Sequence, residues 1–145
     1  MASGANQRLT LRLRSPQTRY RPVSRIAAGG MAEVWRGEAT LATGDVVPVA
    51  IKRVLPNLED PNFLTMIEDE ARLGMLLRHP NVVRVYDARN IGGTYIVIME
   101  LVDGDTLKGL LDATIGRPMP IAAALFIGRE LLRALGYAHA ANDDK

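Results

Sequence analysis

Lys52 lies in the run Val46-Val47-Pro48-Val49-Ala50-Ile51-Lys52-Arg53-Val54, where its neighbours are small or aliphatic. An ammonium in such surroundings needs a counter-charge, because burying it alone is expensive. Glu70 can supply one. Phe63, Ile67, Glu70, Gly74 and Leu77 follow one another at steps of four, three, four and three, the spacing of one helix face. Two placements stay open for Glu70: inside that apolar stripe, or at its edge with the carboxylate reaching outward. Ahead of both lie Gly29 and Gly30, between two strand-like runs. Glycines at such a tip let backbone N–H groups approach phosphate oxygens without side chains in the way. A cation, a carboxylate of opposite sign to pair with it and a bare backbone loop that phosphate oxygens can approach thus occur together.

The elements that must hold these groups follow from pattern and punctuation. Strands are expected over Tyr20–Ile26 and Glu33–Ala39, with the glycines at the hairpin tip. After a turn at Thr43-Gly44-Asp45, the β-branched run Val46–Val54 reads as a third strand. Asp60-Pro61 has the form of a helix start, with Asp capping and Pro in the first turn, and His79-Pro80 ends that helix near Arg78. Val82–Ala88 and Thr94–Leu101 are expected as two further strands joined by a turn at Asn90-Ile91-Gly92-Gly93. Beyond Val102-Asp103-Gly104-Asp105 the pattern turns helical, with a short helix from about Thr106 and a longer one over Pro120–His139.

In this order the residues resemble a known family. Ile26-Ala27-Ala28-Gly29-Gly30-Met31-Ala32-Glu33-Val34-Trp35, Val49-Ala50-Ile51-Lys52, Glu70-Ala71-Arg72-Leu73 and His79-Pro80-Asn81-Val82-Val83 look like the Gly-rich loop, the strand-three lysine, the helix-C glutamate and the segment after that helix in protein kinases. Gly-Gly-Met-Ala-Glu-Val is similar to the bacterial serine/threonine type. The resemblance runs from about Tyr20 to the end. It implies an α+β fold: an N-lobe of five antiparallel strands with one helix C, then the first helices of an incomplete C-lobe. The expected organisation is an Arg-rich, loosely ordered leader over 1–18, an N-lobe over 19–102, and hinge plus first C-lobe helices over 103–145.

What the resemblance implies for the site is specific. Lys52 would hold the α- and β-phosphates of ATP and Glu70 would orient it. Gly29 and Gly30 would cover the phosphates, and Ile26, Val34 and Ala50 would roof the adenine. Met99 matches the gatekeeper, and the backbone of Glu100 and Val102 would bond the adenine edge. Asp103 and Asp105 lie near the expected ribose contact, although the usual position falls on Thr106.

Two departures accompany the match. Ala27 and Ala32 stand where the loop motif has its first and third glycines, leaving Gly29 as the central one. Neither His-Arg-Asp followed by Asn nor Asp-Phe-Gly occurs in the 145 residues. The family's catalytic Asp and its Mg2+ ligands are therefore not in this sequence, and phosphoryl transfer needs both. The resemblance thus implies the ATP-binding portion of a serine/threonine kinase, inactive on its own, and without the floor and metal ligands of a C-lobe its ATP affinity in isolation is expected to be weak or undetectable. A non-catalytic kinase-like module binding a protein partner, another kinase or a C-lobe, is the alternative.

Composition limits the remaining classes. The chain has no cysteine, which removes disulfides and thiolate chemistry and fits the cytoplasm. His79 and His139 are too few for an evident metal site, and His79 before Pro80 reads as a turn residue packing on the sheet. No apolar run is long enough for a signal or a membrane span. Arg8, Arg12, Arg14, Arg19, Arg21 and Arg25 make the start basic, but Tyr20 is the one aromatic residue among them, short of the repeated interleaving that stacks bases, so no specific nucleic acid is expected.

Overall fold

The computed structural model describes residues 2–55 and 62–141, with side chains from residue 7 onward. The element order is α1 (Ala2–Leu13), β1 (Arg19–Ala28), β2 (Ala32–Thr40), β3 (Val46–Val54), α2 (Phe63–Leu76), β4 (Val85–Ile91), β5 (Thr94–Met99), α3 (Leu107–Ala113) and α4 (Ile121–Ala140). They divide into two compact units, residues 1–76 with 84–101, and residues 77–83 with 102–145.

The first unit is a five-stranded antiparallel sheet in the order β1-β2-β3-β5-β4. Strand alternation gives its two faces different tasks. Lys52 is registered beside Val34 on β2 and Val97 on β5, and Ala50 beside Arg36 and Met99. That face receives α2, whose Phe63, Ile67 and Ala71 bury against Val54, Tyr95 and Val97. Gly74 belongs to the same contact: a Cβ there would come within 2.8 Å of Val85 Cγ2, so α2 approaches β4 only because the position is bare. The start expected at Asp60-Pro61 lies outside the described residues.

The opposite face carries Trp35, Val49, Ile51, Ile96 and Ile98, and α1 lies on it. Leu13 is fully buried against Ala39, Leu41, Val49, Ile98 and Tyr86. The expectation of a loosely ordered leader is therefore corrected. Its apolar residues, unremarkable in sequence, fill a hollow that the sheet would otherwise leave open, and burying one leucine contributes about 1.5–3 kcal/mol. The arginines serve this fastening. Arg12 bridges to Asp45 at 2.7 Å, Arg14 Nε donates to the Tyr86 carbonyl at 2.8 Å, and Arg12 O accepts from the Thr18 hydroxyl at 2.7 Å.

Turns follow the glycines. Gly44 has φ +86° and its N–H donates to Leu41 O at 2.8 Å. Gly92 and Gly93, at φ +58° and +82°, form the two-residue loop between Ile91 and Thr94, a backbone that L side chains resist. This moves β4 three residues later than expected. Val82 and Val83 are not strand: Val82 N donates to His79 O at 3.1 Å in a turn that belongs to the second unit. β5 likewise stops at Met99 rather than Leu101.

In the second unit α3 is capped by Thr106, whose Oγ1 accepts from Gly109 N at 2.9 Å. α4 holds the 77–83 segment. Asn81 Nδ2 donates to Glu130 Oε2 at 2.7 Å, Tyr137 OH accepts from Arg78 N at 2.8 Å, and the His79 ring stacks on Tyr137 with centroids 5.3 Å apart. His79 is a turn residue as expected, but the packing partner it shows is Tyr137 on α4 where the sheet was expected. Asn81 is the main reason the Glu130 carboxyl is held below its ordinary value, with Arg129 and Arg133 adding to it.

Candidate functional site

Lys52 sits on the middle strand of the sheet, two strands in from either edge, with Val34 on one side and Val97 on the other. Its stem is screened by these residues and its side chain is 28% exposed. Nζ reaches Glu70 Oε1 at 3.3 Å. The two charges that the sequence suggested for each other are therefore in contact.

The setting of Glu70 differs from a buried stripe position. Its side chain is 64% exposed, and the residue that turns into the core is Ala71, in line with Phe63 and Ile67. The edge placement is the observed one: the apolar stripe runs one position later than Glu70, and the carboxylate leans out toward Lys52. An exposed pair of this kind adds about 0–1 kcal/mol to stability. Its geometry holds the ammonium in one direction rather than holding the fold together.

Ala50 is almost fully buried and Met99 partly so, both on the Lys52 face and paired in register. Val34 is half-buried beside them. Ile26 is 56% exposed, next to the irregularity between Arg25 and Ala27 in β1. Glu100 N donates to Arg84 O at 2.8 Å, which leaves the carbonyl of Glu100, rather than its amide, as the backbone group it can offer a ligand. Val102 belongs to the second unit and is exposed. Asp105 is occupied locally, its Oδ1 accepting from Thr106 N at 2.7 Å.

The glycine tip is informative in a different way. Gly29 N donates to Ala32 O at 2.9 Å, closing the hairpin. Yet neither Gly29 nor Gly30 has a positive φ, a Cβ on Gly29 would meet nothing nearer than Ala32 O at 3.8 Å, and one on Gly30 would meet nothing within 4 Å. The folded loop does not itself require glycine at either position. Gly37 is the contrast, since a Cβ there would lie 2.9 Å from the Arg21 carbonyl.

Among the described residues no three His, Asp or Glu side chains gather as a metal ion would require. No helix among them is long and apolar enough to cross a membrane. Sequence reasoning missed the polar cluster on the far face. Tyr20 OH donates to Leu13 O and lies 3.2 Å from Asp87 Oδ2, while Arg89 binds Asp87 and donates to the carbonyls of Leu13 and Ser15 at 3.0 Å each. Tyr20 and Asp87 stand on the two opposite edge strands, and no local pattern announces that they meet.

The chain is 35% identical over 133 residues to the tyrosine-protein kinase MasK of Myxococcus xanthus, a match covering 88% of this chain and 20% of that protein. It is 31% identical over 121 residues to the serine/threonine-protein kinase PrkC of Bacillus subtilis, covering 83% and 18%. It is 34% identical over 128 residues to the serine/threonine-protein kinase PknA of Mycobacterium tuberculosis, covering 85% and 29%. The chain thus spans less than a third of the length of each. In fold it matches the crystal structure of a single-site mutant of the Mycobacterium tuberculosis PknI kinase domain with a TM-score of 0.72 at 24% identity, over 85% of this chain and 49% of that one. The protein kinase domain profile matches residues 20–142, from the start of β1 through α4, and the chain belongs to the protein kinase domain family.

Proposed function

We propose that this chain is the ATP-binding portion of a protein serine/threonine kinase, gripping nucleotide without transferring phosphate on its own. The observation that carries the proposal is the 3.3 Å contact of Lys52 with Glu70 on the sheet face bearing Val34, Ala50 and Met99. The residues fit the ligand. Lys52 offers a directed cation to the α- and β-phosphates, the Gly29-Gly30 tip offers bare backbone that its own fold does not demand, and Ile26, Val34, Ala50 and Met99 offer apolar surface to a purine. Glu100 contributes its carbonyl to the adenine edge, its amide being taken by Arg84 O. Hydroxyl groups of Ser or Thr are the proposed acceptor, supported by the likeness to PrkC and PknA. The cytoplasm, where ATP is supplied and free of disulfide demand, is the proposed location.

Lysine chemistry tests this directly, since the chain has only Lys52, Lys108 and Lys145. An acyl-phosphate of ATP acylates a lysine held beside its phosphates, and mass spectrometry locates the product. Labelling should concentrate on Lys52, fall with excess ATP, and decline in Gly30→Val. Equal labelling of all three lysines, indifferent to ATP, would overturn the proposal.

A second reading rests on α4, where Ile121 is 78%, Leu125 68% and Leu132 70% exposed. Apolar surface of that extent suits a protein partner or further C-lobe sequence.

A further inference from the structure

We infer that the face of the sheet turned away from Lys52 holds a second binding site, for a small amphipathic anion with an apolar body of one or two rings. Strand alternation separates the two sites: on β3, Ala50 and Lys52 point one way and Ile51 and Arg53 the other. Leu13 fills only one end of the second face. Towards Arg53 the sheet is left open, and a groove of about 350 Å³ remains. Ile51 and Ile96 form its floor, Tyr20, Pro22 and Trp35 one wall, and Ile91 with Thr94 the other. Binding pockets for small molecules run from about 300 to 1,000 Å³ and combine mostly apolar walls with a few placed polar groups. This groove lies at the lower end of that range.

The charges around it select the ligand. Arg53 lines the groove and has no ion-pair partner among the described residues. The acid registered across from it, Glu33, is already engaged, by Arg25 at 3.4 Å and by the Trp35 indole N–H at 3.2 Å. On the other flank of Ile96, Arg89 is held by Asp87. The groove therefore presents one uncompensated guanidinium beside aromatic and aliphatic walls, with the Thr94 hydroxyl as a further polar group. A guanidinium pairs best with a carboxylate, sulfonate or phosphate in a forked contact. The walls exclude a bare inorganic anion as the preferred guest, because they would gain nothing from it.

Trp35 is the only tryptophan, so its indole N–H gives a single resonance placed in the wall of the groove. The experiment titrates 8-anilinonaphthalene-1-sulfonate into the full chain and follows that resonance, with uncharged N-phenyl-1-naphthylamine as the partner probe. The sulfonate should move the Trp35 signal saturably. Arg53→Gln should weaken its binding about tenfold, the size of one charge-assisted contact, and leave the uncharged probe unaffected. Ile96→Glu should weaken both, and Leu132→Asp on α4 neither, with far-UV circular dichroism confirming that each variant is folded. A Trp35 resonance that stays in place, or sulfonate affinity equal in the parent chain and Arg53→Gln, would overturn the inference.

Discussion

Single residues in this molecule separate cleanly into those that serve the fold and those that do not. Lys52 and Glu70 make an exposed contact worth little to stability, and Gly29 and Gly30 occupy positions where a methyl group would meet no obstacle. Tyr20 is the opposite kind. Burial, first, and the charge of Asp87, second, push its hydroxyl well above the ordinary tyrosine range. The folded chain therefore keeps a proton that the unfolded chain releases near pH 10. Its contribution to stability is complete below about pH 10 and is lost as pH rises beyond it. Urea midpoints measured from neutral to strongly alkaline pH should be level and then fall. Tyr20→Phe should lower the neutral midpoint, by about 1 kcal/mol for the lost hydrogen bond, and make the alkaline fall shallower. Tyr86 and Tyr95, also raised by burial, should keep part of that fall in place.

At the scale of elements, α1 is where sequence and structure part most. β3 could be read to the residue because Val46–Val54 is dense in β-branched side chains, and the glycine hairpin because two similar runs flank it. The Lys52–Glu70 pairing was legible from Lys52, a lone charge in an aliphatic strand, although the stripe drawn through Glu70 runs through Ala71 instead. β4 was misplaced because Val82 and Val83 look like strand while the turn closed by His79 governs them. α1 carried no comparable signal. What fixes it are Ala39, Val49, Ile98 and Tyr86, all distant in sequence, and the Tyr20–Asp87–Arg89 cluster that binds its carbonyls. The helix also precedes the residues that the family profile covers, so nothing general about kinases calls for it. Leu13→Ala should cost about 2–5 kcal/mol, whereas Leu11→Ala, at a side chain 65% exposed, should change stability by less than about 0.5 kcal/mol. Chemical denaturation of the two variants side by side measures the difference. Equal, small effects would mean that α1 is dispensable.

For the whole molecule, the unresolved demand is the apolar side of α4. Phe126, Leu131 and Leu135 add to the exposed Ile121, Leu125 and Leu132, each more than half exposed. A chain with this surface in water should associate with itself as concentration rises. Light scattering should show the mean mass increasing from micromolar upward, and Leu125→Asp with Leu132→Asp should return it to that of one chain. A parent chain that stays monomeric throughout would rule this out. The sheet, by contrast, is guarded at both margins. β1 carries Pro22, which has no N–H to offer, and two register breaks, between Pro22 and Ser24 and between Arg25 and Ala27. Along β4, Arg14 takes up the Tyr86 carbonyl. Neither margin is a straight, open template for a strand from another molecule, so any clustering of this chain should be of the helical, reversible kind and should not seed fibrils.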